Sequence, residues 1–294
     1  MGSVDFGNIG FSGTLRPSQS AAKSVIEPQL SAGADQLYIV APPGSGKTIL
    51  GLYVWADMVR QPALVLSPNS AIQAQWLART SLFDLDGNED GLSLDPRRPG
   101  LLTSLTYQSL TMVRSKGDDL ERAGLQLWLS KLIEDGEAID EASGLAWLED
   151  LRLKNPDYFE KEMKKHRKKV RRQKVGEDGA LAWLNEGAKA SIDALKAANI
   201  GLIILDECHH LTEHWGEVLL ALREELGNPI VLGLTATPPD EEKAGVVHYK
   251  ELLGEIDYEV PTPALVRDSN LAPYQDLAYF CLLYTSDAAD DLIG

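Results

Sequence analysis

"IVAPPGSGKTIL" at residues 39–50 decides how the rest of the chain is read. An apolar run, "QLYIV" (36–40), leads into it, and a helical run, "KTILGLYVWADMVR" (47–60), leads out. The stretch is therefore read as a buried strand, a glycine-bearing loop and a helix. Gly44 and Gly46 let backbone N–H groups close around phosphate oxygens where a side chain would clash. The N-terminus of the following helix adds a dipole that favours anions. Pro43, Gly44, Ser45 and Gly46 are thus expected to cradle phosphates, with Lys47 reaching the β- and γ-phosphates and Thr48 binding magnesium. The strict pattern G-x-x-x-x-G-K-[ST] fails at one letter, since Ala41 stands where its first glycine is expected. ATP and Mg2+ are the expected cofactors.

Such a cradle needs a second magnesium-holding carboxylate at the end of another strand. "GLIILDE" (201–207) supplies one, with Asp206 for the ion and Glu207 to orient and deprotonate water. The letters that follow offer a rival: "HLTEH" (210–214) fits the zinc-protease pattern H-x-x-E-H. A zinc protease would want His210 and His214 on one helix and has no use for a phosphate cradle. Two independent halves of a magnesium–nucleotide site outweigh that five-letter match.

Outward from these two stretches, "ALVLS" (63–67), "GLLTSLT" (100–106) and "IVLGLT" (230–235) are further apolar runs of the kind that buried parallel strands need. Between the early runs lie helical segments, "NSAIQAQWLART" (69–80) among them. Strand and helix in alternation predict an α/β fold, a mostly parallel sheet with helices on both faces and its site at the carboxyl ends of the strands. Residues 111–200 break the rhythm: they are charged, contain "LERAGLQLWLSKLIEDG" (120–136) and have no strand-like run, so they are expected to be a helical insertion. Expected divisions are therefore an N-terminal segment at 1–34, the first part of the core at 35–110, the insertion, the second part of the core at 201–280, and a tail at 281–294. That tail, "CLLYTSDAADDLIG", resembles translated sequencing-adaptor read-through, and natural sequence is expected to stop near Phe280.

Two cysteines, Cys208 and Cys281, cannot build a disulfide framework, and no secretory signal or membrane-spanning run is visible, so a cytoplasmic protein is expected. The net charge of −16 argues against a basic surface over the whole chain. The charge is uneven, however: "KEMKKHRKKVRRQK" (161–174) carries nine Lys or Arg against one Glu. Distant charges are screened within roughly 10 Å, so an acidic protein can still bind phosphates locally. The first reading of the run is a solvated helix face, with nucleic-acid contact as its alternative.

"APPGSGKT", "DECHH" and "LTATPP", in this order, resemble the motifs of superfamily-2 helicases and translocases of the DExH-box type. The likeness is nearest to the branch of DNA-dependent ATPases related to XPB and the type III restriction enzymes. It covers the first RecA-like P-loop NTPase domain, nearly all of 14–280 apart from the insertion. The resemblance implies that "LRPSQ" (15–19) reads adenine, with Gln19 on the base and Arg16 nearby. It implies that Ser67, Pro68 and Asn69 meet the nucleic-acid backbone, with Tyr107 and Gln108 of "TYQSL" as further contacts. His209 would link the ATP site to "TAT" (235–237), where Thr235 and Thr237 relay hydrolysis to strand movement. "NLAPYQDLAYF" (270–280) resembles the segment by which this branch leaves the first domain. Plainer readings stand beside these: an N-cap at "SPNS", a strand end at "TYQSL", a sheet-ending turn at "LTATPP", and polar residues opening the helix after Pro17.

The family's second RecA-like domain carries Q-x-x-G-R-x-x-R, and no such motif occurs here. An arginine supplied across the cleft is worth orders of magnitude in phosphoryl transfer, so the chain by itself is expected to bind nucleotide poorly and to turn it over very slowly. The expected function is the ATP-binding lobe of a helicase or translocase. Its expected partners are nucleic acid, DNA in preference to RNA, and the second domain; no membrane is expected. The alternative is a nucleotide-dependent binding or scaffold protein.

Overall fold

The computed structural model describes residues 6, 8–111, 117–178, 181, 184, 186–211, 213–238 and 246–267. The segments 270–280 and 281–294 lie outside them. The chain runs β1 (Gly10–Phe11), α1 (Pro17–Ser31), β2 (Gln36–Val40), α2 (Lys47–Tyr53), β3 (Ala63–Ser67), α3 (Ser70–Arg79), β4 (Phe83–Asp84), β5 (Leu92–Ser93), β6 (Leu102–Thr106) and α4 (Tyr107–Thr111). There follow α5 (Gly117–Glu134), α6 (Glu141–Lys154), α7 (Pro156–Asp178) and α8 (Glu186–Ala197). The remainder is β7 (Leu202–Asp206), α9 (Glu213–Glu225), β8 (Ile230–Thr235), α10 (Val246–Leu253), β9 (Tyr258–Glu259) and α11 (Thr262–Arg267).

Seven strands form one parallel sheet in the order β5-β6-β3-β7-β8-β2-β9, while β1 and β4 pair separately and antiparallel. All five residues of β3 and of β7 are buried, which is why these strands are continuous apolar runs rather than alternating ones. Successive side chains go to opposite faces. Leu37, Ile39, Val65, Ile204 and Leu232 join Ile26 of α1, Leu50 and Leu52 of α2 and Trp76 of α3 on one side. Tyr38, Val40, Leu64, Leu66, Ile203 and Leu205 meet α8, α9 and α10 on the other. Both faces are covered, the arrangement expected of a RecA-like lobe.

Two features refine the expected layout. The helix after the phosphate loop continues as a π-turned segment over Val54–Val59, ended by Arg60 in the left-handed region at φ 55°. Residues 111–200 divide into two parts. Helices α5, α6 and α7 close a core of their own around Trp128, Leu132, Leu148, Phe159 and Met163. Helix α8 instead sends Ala188, Ile192 and Leu195 into the core beneath the sheet. Only α5–α7 stand apart.

Candidate functional site

The ends of β2, β7 and β8 lie side by side, with Val40 opposite Thr235 and Asp206 opposite Leu234. The loops leaving them therefore converge. The phosphate loop is fixed to this edge where Ala41 N–H donates to Thr235 O at 2.8 Å. Gly44 and Gly46 take φ values of 82° and 87°, where an L side chain is strained. A Cβ on Gly46 would also lie 2.4 Å from Gln19 Nε2. The loop's carbonyls are held from α1: Gln19 Nε2 donates to Gly46 O at 3.0 Å, and an Arg16 guanidinium N–H donates to Gly44 O at 2.9 Å. Gln19 Oε1 meanwhile accepts from Arg16 N–H at 2.8 Å. Arg16 and Gln19 thus flank the loop from the start of α1. They border a cavity of about 540 Å³ that also takes in Phe11, Pro43, Ser45, Lys47, Thr48, Arg79, Asp206 and Glu207.

Lys47 Nζ sits 3.0 Å from Glu207 Oε1 and donates to Ala41 O at 3.0 Å, so one ammonium bridges the phosphate loop to the end of β7. Glu207 is a non-glycine residue at φ 47°, a strained conformation that turns it out of the strand and over the loop. Its other oxygen accepts from Ala236 N–H at 3.4 Å and lies 3.3 Å from His209 Nδ1. His209 Nδ1 also shares a 2.7 Å hydrogen bond with Thr235 Oγ1. The Thr235 hydroxyl donates to Thr237 O at 3.0 Å, which leaves Nδ1 of His209 to carry the hydrogen of that shared bond.

Asp206 is buried, and burial raises its carboxyl above the ordinary carboxylate range, against the opposing pull of a hydrogen bond from Trp76 and the charge of Lys47. That bond, Trp76 Nε1–H to Asp206 Oδ2, measures 2.6 Å. The Asp206 carbonyl accepts from Tyr107 O–H at 3.0 Å. Sequence reasoning missed Trp76 as a site residue. It falls at the end of "LVLSPNSAIQAQW", 130 positions from its acceptor, and nothing local announces that distance.

The candidate strand contacts divide. Gln108 and Asn69 are exposed and Pro68 is half-buried. Asn69 Oδ1 accepts from Ile72 N–H at 3.0 Å, so it caps α3. Ser67 and Tyr107 are corrections: both are wholly inaccessible. Ser67 is the last residue of the central strand β3. Tyr107 stacks on Trp215 at 5.3 Å and turns its hydroxyl inward to Asp206; burial raises that hydroxyl well above its ordinary range. Neither side chain reaches a surface where a strand could lie. His210 closes a short 3-10 turn, whereas His214 lies on α9, so the single helix that a zinc protease requires is not formed.

The family model described as the type III restriction enzyme, res subunit, matches residues 12–98 and 149–240, more than half of the chain. The RNA polymerase-associated protein RapA of Pseudomonas aeruginosa (strain LESB58) is 49% identical over 63 residues, which are 20% of this chain and 6% of that protein. The crystal structure of the Pyrococcus furiosus Hef helicase domain aligns with 84% of this chain and 38% of its own, at 14% identity and a TM-score of 0.42. The chain spans well under half the length of either. On the family match, the chain belongs to the type III restriction enzyme res-subunit family and carries a superfamily-2 helicase-like domain.

Proposed function

We propose that the chain is the nucleotide-binding lobe of an ATP-dependent nucleic-acid helicase or translocase, acting on DNA in preference to RNA. The observation that carries this reading is the bridge at 3.0 Å from Lys47 to Glu207, which joins the phosphate loop to the strand that ends on Asp206. The residues present suit a nucleotide with magnesium. The Gly46 cradle would be filled by any Cβ, and Ser45 Oγ is buried with no hydrogen-bond partner among the described residues. Thr48 and Asp206 would hold magnesium, which when bound neutralises charge on the β- and γ-phosphates. Lys47 would transfer its hydrogen bonds from Glu207 to phosphate oxygens. Glu207, freed of that pairing, orients and deprotonates the attacking water. Thr235 and Thr237, tied to Glu207 through His209, would pass the change to the strand-contacting surface. A second RecA-like domain would complete the site from across the cleft.

Binding of a fluorescent ATP analogue tests the reading. Lys47→Ala removes charge-assisted hydrogen bonds and should weaken binding by roughly 10- to 100-fold. Glu207→Gln should bind as the wild type does and stop turnover in the complete enzyme. Unchanged binding by Lys47→Ala would remove the phosphate role. Normal turnover by Glu207→Gln would remove the base.

A further inference from the structure

The basic run that the nucleotide site does not use lies on α7. Among the residues of that helix whose side chains are described, Phe159, Met163, His166 and Val170 are buried, with Phe159 and Met163 in the α5–α7 core and His166 stacked on Trp128. The outer face presents Lys161, Lys164, Lys165, Lys168 and Lys169, all exposed. The neighbouring cation on the flank is treated differently. Arg167 is folded onto Glu121 of α5 at 3.3 Å and Glu160 at 3.2 Å. Lys165 pairs with Glu162. Among the described residues, Lys161, Lys164, Lys168 and Lys169 have no carboxylate partner. The chain has 44 Asp and Glu against 28 Lys and Arg, so a predominantly cationic face is the exception on this molecule. Its Lys161/Lys165, Lys164/Lys168 and Lys165/Lys169 pairs repel each other at i,i+4.

We propose that this lysine face of α7 is a second nucleic-acid contact, outside the ATPase core, that grips the phosphate backbone. The inference rests on the reading of the chain as a nucleic-acid motor lobe and deepens it. Charge density supports it. Residues 161–169 rise about 12 Å along the helix axis, so the four ammoniums without a carboxylate partner stand one per roughly 3 Å. A DNA strand carries a charge about every 3.4 Å, a closely matched line of opposite sign. Tyr158, 46% exposed, precedes Lys161 and Lys165 by three and seven positions on the same face and offers a ring on which a base can stack. A membrane surface suits the helix less well, because the apolar side that would have to enter the bilayer is already buried against α5 and α6.

The test uses the full chain and a labelled single-stranded DNA, followed by fluorescence anisotropy over a salt series. Replacing Lys161, Lys164 and Lys168 together by Gln leaves the buried face untouched. It should weaken binding at least tenfold and reduce the slope of log K against log salt by about 2, near 0.7 per lost contact. The corresponding Arg replacements should restore both, and binding of the fluorescent ATP analogue should be unchanged throughout. A triple Gln variant that binds DNA as the wild type does overturns the lysine contact and leaves the motor reading standing. A wild-type chain that binds the ATP analogue but no DNA overturns it as well. Equal competition by phosphatidylserine vesicles or polyglutamate also overturns it, assigning the face to a membrane or an acidic protein.

Discussion

Trp76→Phe separates the two jobs of the buried indole, filling space and holding Asp206. The ring is wholly buried on α3, with its N–H 2.6 Å from a carboxylate oxygen that is itself buried. Phenylalanine keeps most of the apolar volume, so the cavity adds only about 1 kcal/mol. The lost hydrogen bond matters more. A buried carboxylate deprived of a donor costs roughly 2–3 kcal/mol, giving a total near 3–4 kcal/mol. For a chain of this size that lowers the thermal midpoint by roughly 6–15 °C. Asp206→Ala alone leaves the indole N–H without an acceptor, whereas the double variant leaves neither group unsatisfied. Urea titrations of the four proteins should therefore give a coupling of about 1.5–3 kcal/mol, the double variant being more stable than the two single costs added together predict. Additivity within about 0.5 kcal/mol would mean that the indole only fills space and that the short bond contributes nothing.

Three further outcomes follow from the geometry. Gly46→Ala combines a forbidden φ of 87° with a Cβ placed 2.4 Å from Gln19 Nε2, so it should abolish nucleotide-analogue binding, while Gly33→Ala, strained at φ 89° but with open space around its Cβ, should lower stability and leave binding intact. Thr235→Val deletes the hydroxyl that joins His209 to Thr237 and should cost about 1–2 kcal/mol in urea titrations, with a larger loss of nucleic-acid stimulation than of basal turnover in the complete enzyme. His166, stacked on Trp128 at 5.3 Å, has its pKa lowered by burial, Lys131, Lys165 and Lys169 adding to the shift and Glu162 opposing it. A depressed folded pKa means that the unfolded chain takes the proton first, so stability is whole above the ordinary histidine range and is lost as pH falls through it. His166→Phe should flatten that acid limb of the urea midpoint, and an unchanged limb would place its origin elsewhere.

How much of this was legible follows from the range of the interactions. Strands β2, β3, β7 and β8 were readable because a strand buried on both faces must be a continuous apolar run. The two-residue strands β1, β4, β5 and β9 were not, since pairs such as Phe83–Asp84 carry no period. The π-turned stretch "VWADMV" looks like any helix. Helix α8 reads as part of the insertion because its Ala188, Ile192, Leu195 stripe states that a core exists without saying which one. Gln108 and Asn69 are exposed, whereas Tyr107 is buried. An aromatic at a strand end is read outward or inward only once α9 is seen to bring Trp215 against it.

The misplacement of Tyr107 bears on how the site works. Asp206 and Glu207 form one turn, and four different elements hold it. Helix α3 grips the Asp206 carboxylate through Trp76, and α4 grips the Asp206 carbonyl through Tyr107. The phosphate loop holds the Glu207 carboxylate through Lys47, and the residue after β8 holds its other oxygen through Ala236. Helix α3 is capped by the exposed Asn69, and α4 opens on Tyr107 itself, with the exposed Gln108 next in the chain. Each helix thus carries both an exposed position and a grip on the turn, and interiors at native density do not absorb displacement by yielding. On the proposed reading, a nucleic-acid load on Asn69 or Gln108 would reach the Asp206–Glu207 turn by breaking or keeping a named hydrogen bond. A buried Tyr107 serves such coupling better than an exposed one, because only the buried ring touches the turn.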